Sequence, residues 1–123
     1  MSSHGKEVVL IGDSLKVKEF QYGLEREGAT VALVANSKKA MAYLQEADKP
    51  DGIVFIIPVY WENVSKFVDE VKADKRLATV PIIYMGDFIE STDQIVLKRQ
   101  GVHTLTLGPV PTQEAVRFIL SKI

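Results

Sequence analysis

Four successive residues, Gly12-Asp13-Ser14-Leu15, put a carboxylate and a hydroxyl directly behind the short apolar run Val8-Val9-Leu10-Ile11. A serine so placed can attack a carbonyl if a base takes its proton, and an aspartate can hold a divalent cation if further oxygens join it. The rest of the chain supplies neither. The two histidines are His4, near the N-terminus, and His103, whose third predecessor is Gln100, so no Asp-x-x-His pair exists to activate Ser14. The other carboxylate in a comparable setting is Asp87, behind Pro81-Ile82-Ile83-Tyr84-Met85-Gly86. One or two acids beside an apolar strand end make a poor cage for magnesium, which wants near-octahedral oxygen. Asp13 reads more simply as a helix N-cap and Asp87 as a turn residue. No cysteine is present, which removes thiol nucleophiles, thiolate metal sites and disulfides. No P-loop or G-x-G-x-x-G run is present to cradle phosphate, so a nucleotide site at the strand ends stays a secondary alternative. No cofactor and no metal are expected.

The elements that would position these residues follow from periodicity. The run 8–11 reads as a strand, β1, buried on both faces. Val17, Phe20 and Leu24 return at helical spacing within 15–27, α1, which Gly28 stops. Thr30 to Val34 is β2, after which Asn36 or Ser37 caps α2, carrying Ala40, Met41 and Leu44 on one face. Lys49-Pro50-Asp51-Gly52 breaks the chain before Ile53 to Ile57, β3, the most apolar run and the expected central strand. The loop Pro58-Val59-Tyr60-Trp61 leads to Asn63, a plausible cap for α3 with Val64, Phe67, Val68 and Val71 on one face. Pro81 to Met85 is β4. Ser91 with Gln94 three residues on reads as a capping box opening α4, through Ile95 and Leu97 to a stop at Gly101. His103 to Leu107 is β5, and after Gly108-Pro109-Val110-Pro111 comes α5, with Val116, Ile119 and Leu120 inward.

Five strands alternating with five helices, joined by right-handed crossovers, make an α/β fold with a doubly wound parallel sheet covered on both faces. The flavodoxin-like order 2-1-3-4-5 is the natural choice for (βα)5. Ligands in such sheets sit beyond the carboxyl ends of the strands. Those ends carry Gly12 and Asp13, Ile56, Gly86 and Asp87, and Gly108 and Pro109. At 123 residues one core is expected: a flexible tail over 1–6 and a single domain over 7–123. A net charge of -1 gives no strong field toward nucleic acid or an anionic membrane. No apolar run approaches the ~18 residues of a membrane span, and nothing in the sequence reads as a signal peptide. A cytoplasmic, non-enzymatic protein is expected.

Several local motifs resemble those of one family, the receiver domain of bacterial two-component response regulators. They are Glu27-Gly28-Ala29-Thr30-Val31 into β2, Ala35 with Ala40 around α2, and Pro50-Asp51 before β3. Val80-Pro81-Ile82-Ile83 at β4, Gly101-Val102 before β5 and the Gly108-Pro109 pair complete the set. The likeness spans nearly the whole chain. It implies a phosphoacceptor aspartate at the end of β3, an acidic pair after β1, a hydroxyl after β4 and a lysine after β5. Here those positions hold Ile56, Gly12-Asp13, Gly86 and Gly108, and a slip of one residue at β3 gives Phe55 or Ile57. An isoleucine has no lone pair to attack phosphorus. The family's aromatic switch falls near Leu105, so a hydroxyl-to-aromatic coupling has neither partner. Pro109 matches the proline that follows the family's lysine, where the peptide is cis.

The resemblance therefore implies a degenerate receiver, with Ile56 packed as core, acting by phosphorylation-independent protein–protein interaction. Its partners are expected to be proteins of a signalling pathway, with a homodimer through α4-β5-α5 as one form. That face would include Asp93, Lys98, Arg99, His103, Thr104, Gln113, Arg117 and Lys122, and the loop aromatics Tyr60 and Trp61 form a second candidate surface. Gly12-Asp13-Ser14-Leu15 is also similar to the nucleophile motif of GDSL-type hydrolases, a weaker alternative resting on Ser14 alone.

Overall fold

The structure, a computed structural model, describes residues 5–12, 15–56, 64–87, 89–108 and 110–123. Its strands are β1 (Glu7–Ile11), β2 (Thr30–Val34), β3 (Gly52–Ile56), β4 (Ile82–Gly86) and β5 (His103–Thr106). The helices are α1 (Leu15–Arg26), α2 (Ser37–Glu46), α3 (Val64–Ala73), α4 (Ser91–Arg99) and α5 (Thr112–Lys122). All four strand pairings are parallel and the order is β2-β1-β3-β4-β5, the flavodoxin-like arrangement. The most apolar strand takes the centre, where both faces are roofed by helices: Ile53, Val54, Phe55 and Ile56 have no accessible surface.

Alternation along the strands divides the interior into two layers. Val8, Leu10, Val54, Ile56, Ile83 and Met85 face Val17, Phe20 and Leu24 of α1 and Ala115, Val116 and Ile119 of α5. The opposite face packs Val9, Ile11, Ile53, Phe55 and Ile82 against α2, α3 and Leu97 of α4. Phe55 and Phe67 meet edge to face, with centroids 5.1 Å apart, which fixes α3 over the middle of the sheet. Helix α1 lies so close to α5 that a Cβ on Gly23 would stand 2.8 Å from Val116 Cγ2.

Asn36 caps α2 as expected, its side chain accepting from the Lys39 N–H at 2.9 Å. Gly28, at φ 93°, ends α1 one residue earlier than expected. The expected capping box at α4 does not form. The N-cap is Glu90, in extended conformation and without a side-chain cap bond, and Ser91 is already the first helical residue. From that position its hydroxyl cannot serve as the cap of a helix that starts with itself. Within α4 only Leu97 is buried, and Ile95 and Val96 are 51% and 43% exposed. Leu120 is half-buried, and Ala115, a residue the periodicity passed over, is fully buried. Strand β4 runs one residue later than expected, ending at Gly86, and β5 ends at Thr106. Asn63 and residues 1–4 of the expected tail lie outside the described residues. The carbonyl of Lys6 already accepts the Thr30 N–H at 2.8 Å. Among the described residues, no helix is long and apolar enough to cross a membrane.

Candidate functional site

The carboxyl ends of the strands bring Gly12, Ile56, Gly86 and Gly108 to one end of the sheet, as the topology requires. Ile56 has no accessible surface and belongs to the same buried cluster as Val17, Met85 and Leu107. Gly12, at φ 156°, donates its N–H to the Val34 carbonyl at 2.9 Å. A Cβ added there would meet the Ile56 carbonyl oxygen at 2.7 Å and Val17 Cγ2 at 2.9 Å. The chain leaving β1 thus lies directly on the tip of β3, where only a residue without a side chain fits. Gly86 is buried, and its carbonyl accepts the Leu107 N–H at 2.6 Å, drawing the ends of β4 and β5 together. Gly108 differs: it is exposed, at φ 31°, and a Cβ would meet nothing within 4 Å.

Among the described residues, the central part of this end is therefore hydrocarbon and glycine. None of Gly12, Ile56, Met85, Gly86, Leu107 and Gly108 has a side chain able to accept a phosphoryl group, ligate a cation or move a proton. Magnesium does not fit the described donor set. Among the described residues, no group of three histidine, cysteine, aspartate or glutamate side chains could hold a metal ion. Asp87, the one carboxylate described here, lies on the rim and pairs with Lys16 of α1 at 3.3 Å. With side chains 39% and 66% exposed for Lys16 and Asp87, the pair is a solvated link between α1 and the turn after β4. Nothing in the sequence announced it, because its partners stand 71 positions apart.

His103 opens β5 in register with Ile83, hence level with Val54 and Leu10, on the edge strand three positions across the sheet from β1. Burial, then the positive charges of Lys122 and Lys72, lowers its pKa below the ordinary value.

Of the expected interaction face, Asp93, Lys98 and Arg99 on α4 and Gln113, Arg117 and Lys122 on α5 are exposed, and His103 and Thr104 are half-buried. Leu105 is half-buried and packs toward the α1–α5 layer. The sequence reading missed the exposed pair Ile95 and Val96 on the same face, because it ran α4 through Ile95 and Leu97 without assigning either to a side of the helix. Asp13, Ser14, Ile57, Tyr60, Trp61 and Pro109 lie outside the described residues.

No protein-family model and no curated protein matches the chain. Solved structures do. The phosphorylated cyanobacterial phytochrome response regulator RcpA superimposes with a TM-score of 0.79 at 20% identity, over 97% of this chain and 91% of that one. The chemotaxis protein CheY4 of Vibrio cholerae gives 0.83 at 18% identity, over 96% and 98%. HP1043, an orphan response regulator of H. pylori, gives 0.78 at 19%, over 96% of each chain. At such identities the likeness establishes the fold, which is that of response-regulator receiver domains along nearly the full length.

Proposed function

We propose that the chain is a receiver-like signalling domain of a two-component-type pathway that works without phosphorylation, through contact with other proteins. The observation that carries this reading is Ile56: at the tip of the central strand of a receiver fold stands a hydrocarbon side chain with no accessible surface. Neither attack on phosphorus nor coordination of a cation is open to it. Loss of the acids is energetically coherent, since clustered buried carboxylates are costly unless a cation compensates them, and isoleucine with close-packed glycine removes that cost. With no reactive side chain among the described residues at the centre of the strand ends, the surface is left to act. The α4-β5-α5 face supports this, with Ile95 and Val96 exposed among Asp93, Lys98 and Arg99. An apolar pair ringed by charge is the composition expected of a small docking surface.

The test has two parts. Incubation with acetyl phosphate and magnesium should leave the intact mass unchanged, and a stable phosphoryl adduct would overturn the phosphorylation-independent reading. Immobilised wild-type protein should retain a partner from the source cell that an Ile95→Glu, Val96→Glu double variant does not. Equal retention by both would remove the α4-β5-α5 face from the proposal.

A further inference from the structure

The two edges of the sheet differ in how they are defended. The β5 edge begins with half-buried His103, which feels the charges of Lys72 and Lys122. The β2 edge carries no such guard. From Ala29 to Ser37 there is no charge, no proline and no glycine. Natural edge strands are usually protected by such residues against pairing with another chain.

The hydrogen-bond phase shows which groups are free. Thr30 donates to the Lys6 carbonyl at 2.8 Å and the Val34 carbonyl accepts from Gly12 at 2.9 Å, so residues 30, 32 and 34 turn their backbone groups toward β1. The N–H and C=O of Val31 and Leu33 therefore point away from the sheet. Among the described residues, none meets them. Apolar side chains flank the same edge on both faces: Leu33, 37% exposed, on the α1 side, and Tyr43 of α2, 38% exposed, on the other.

We infer that this edge binds a second copy of the chain, β2 against β2 in antiparallel orientation, making one continuous ten-stranded sheet across a two-fold axis. The arrangement is self-complementary. Pairing Val31 with the other copy's Leu33, and Leu33 with its Val31, satisfies all four outward groups of each strand in mutual pairs. Those side chains share a face, so each exposed Leu33 is covered by a Val31. The axis then passes beside Ala32, whose methyl permits the close approach of a non-hydrogen-bonded pair. The charges agree with this direction. The chain enters β2 past exposed Glu25 and Glu27 and leaves it toward exposed Lys38 and Lys39, so antiparallel pairing sets the acidic end of one copy by the basic end of the other. Two cations also stand at the acidic end: Lys6, whose carbonyl accepts the Thr30 N–H, and Arg26, which is turned onto the Tyr22 ring, 5.7 Å from its centroid.

Sedimentation equilibrium on the whole chain tests this. Wild type should show a reversible monomer–dimer equilibrium. Leu33→Pro removes only an outward N–H, which an edge strand tolerates. It should weaken dimerisation on the order of tenfold to a hundredfold, since symmetry deletes the bond twice. Should Leu33→Pro fold poorly, Leu33→Lys at the same exposed position gives the same readout. Lys38→Glu should weaken the dimer and Glu27→Lys added to it should restore it. The chain has no cysteine, so Ala32→Cys places a single thiol at the axis and should give a disulfide-linked dimer in air, which Ala42→Cys on the exposed side of α2 should not. A wild type that stays monomeric, a dimer indifferent to Leu33→Pro and Leu33→Lys, or failure of Ala32→Cys to cross-link would each overturn the inference.

Discussion

Replacing Ile56 by aspartate returns a carboxylate to the tip of β3, and the cost measures how completely that end has become core. Ile56 has no accessible surface and sits among Val17, Met85 and Leu107. Losing its burial removes about 1.5–3 kcal/mol. A protonated carboxyl in its place, with no described polar side chain in the surrounding cluster, adds about 1–3 kcal/mol for unsatisfied hydrogen bonding. Ionisation costs more. A fully buried acid can have its pKa raised by about 3–5 units, at about 1.4 kcal/mol per unit. The sign follows from proton binding: the folded variant holds its proton more tightly than the unfolded chain, so the gap to wild type is smallest below the unfolded aspartate value of about 3.9. As pH rises above that, the gap widens by about 1.4 kcal/mol per unit until the folded pKa is reached. By pH 7 the total is about 7–10 kcal/mol, comparable with the whole stability of a domain this size. Urea midpoints of Ile56→Asp, Ile56→Val and wild type between pH 4 and 7 read this directly. A constant gap of about 1 kcal/mol across that range would mean that the side chain reaches water. A gap that magnesium closes would mean that a cation site survives.

Three other perturbations follow from the same coordinates. Gly12→Ala should destabilise by about 1–3 kcal/mol in urea, because its Cβ would fall 2.7 Å from the Ile56 carbonyl oxygen, a backbone atom unable to move aside cheaply. Asn36→Ala should cost about 1 kcal/mol by losing the cap bond to Lys39 N–H, read as a lower thermal midpoint. Because the folded pKa of His103 is lowered, the stability that its neutral form supports is complete above the unfolded value of about 6.5 and is lost as pH falls toward the folded value. His103→Gln should therefore lose less stability than wild type on acidification through that window, measured as the difference in urea midpoint.

The fold was legible because its signal is repeated. Each strand is a short β-branched run, each helix returns apolar residues at three and four positions, and Gly28 and Asn36 punctuate as their chemistry dictates. What failed was local or non-local in a way that pattern cannot carry. The Ser91–Gln94 spacing satisfied the formula for a capping box, yet the helix takes Glu90 as its cap, one residue earlier. Ile95 and Leu97 read alike as apolar letters, although on a nine-residue helix they lie on opposite sides. The Lys16–Asp87 bridge depends on the first turn of α1 meeting the turn after β4. The burial of Ile56 was foreseeable from its chemistry, whereas the contact that seals it, Gly12 against the Ile56 carbonyl, needed coordinates.

That contact also explains why the strand ends resist stepwise conversion to a phosphate pocket. Gly108 is open, so a lysine there costs only the strain of its backbone angle. Gly12 is closed, and an acid at that position displaces the tip of β3 before it can bind anything. Ile56 is buried, and an acid there must find a cation that an acid at position 12 would have to help hold. The two costly changes thus depend on each other, while the cheap one accomplishes nothing alone. Packing Ile56 into hydrocarbon makes the tip of β3 part of the core, so under the proposed function a signal arises at the surfaces rather than at that tip.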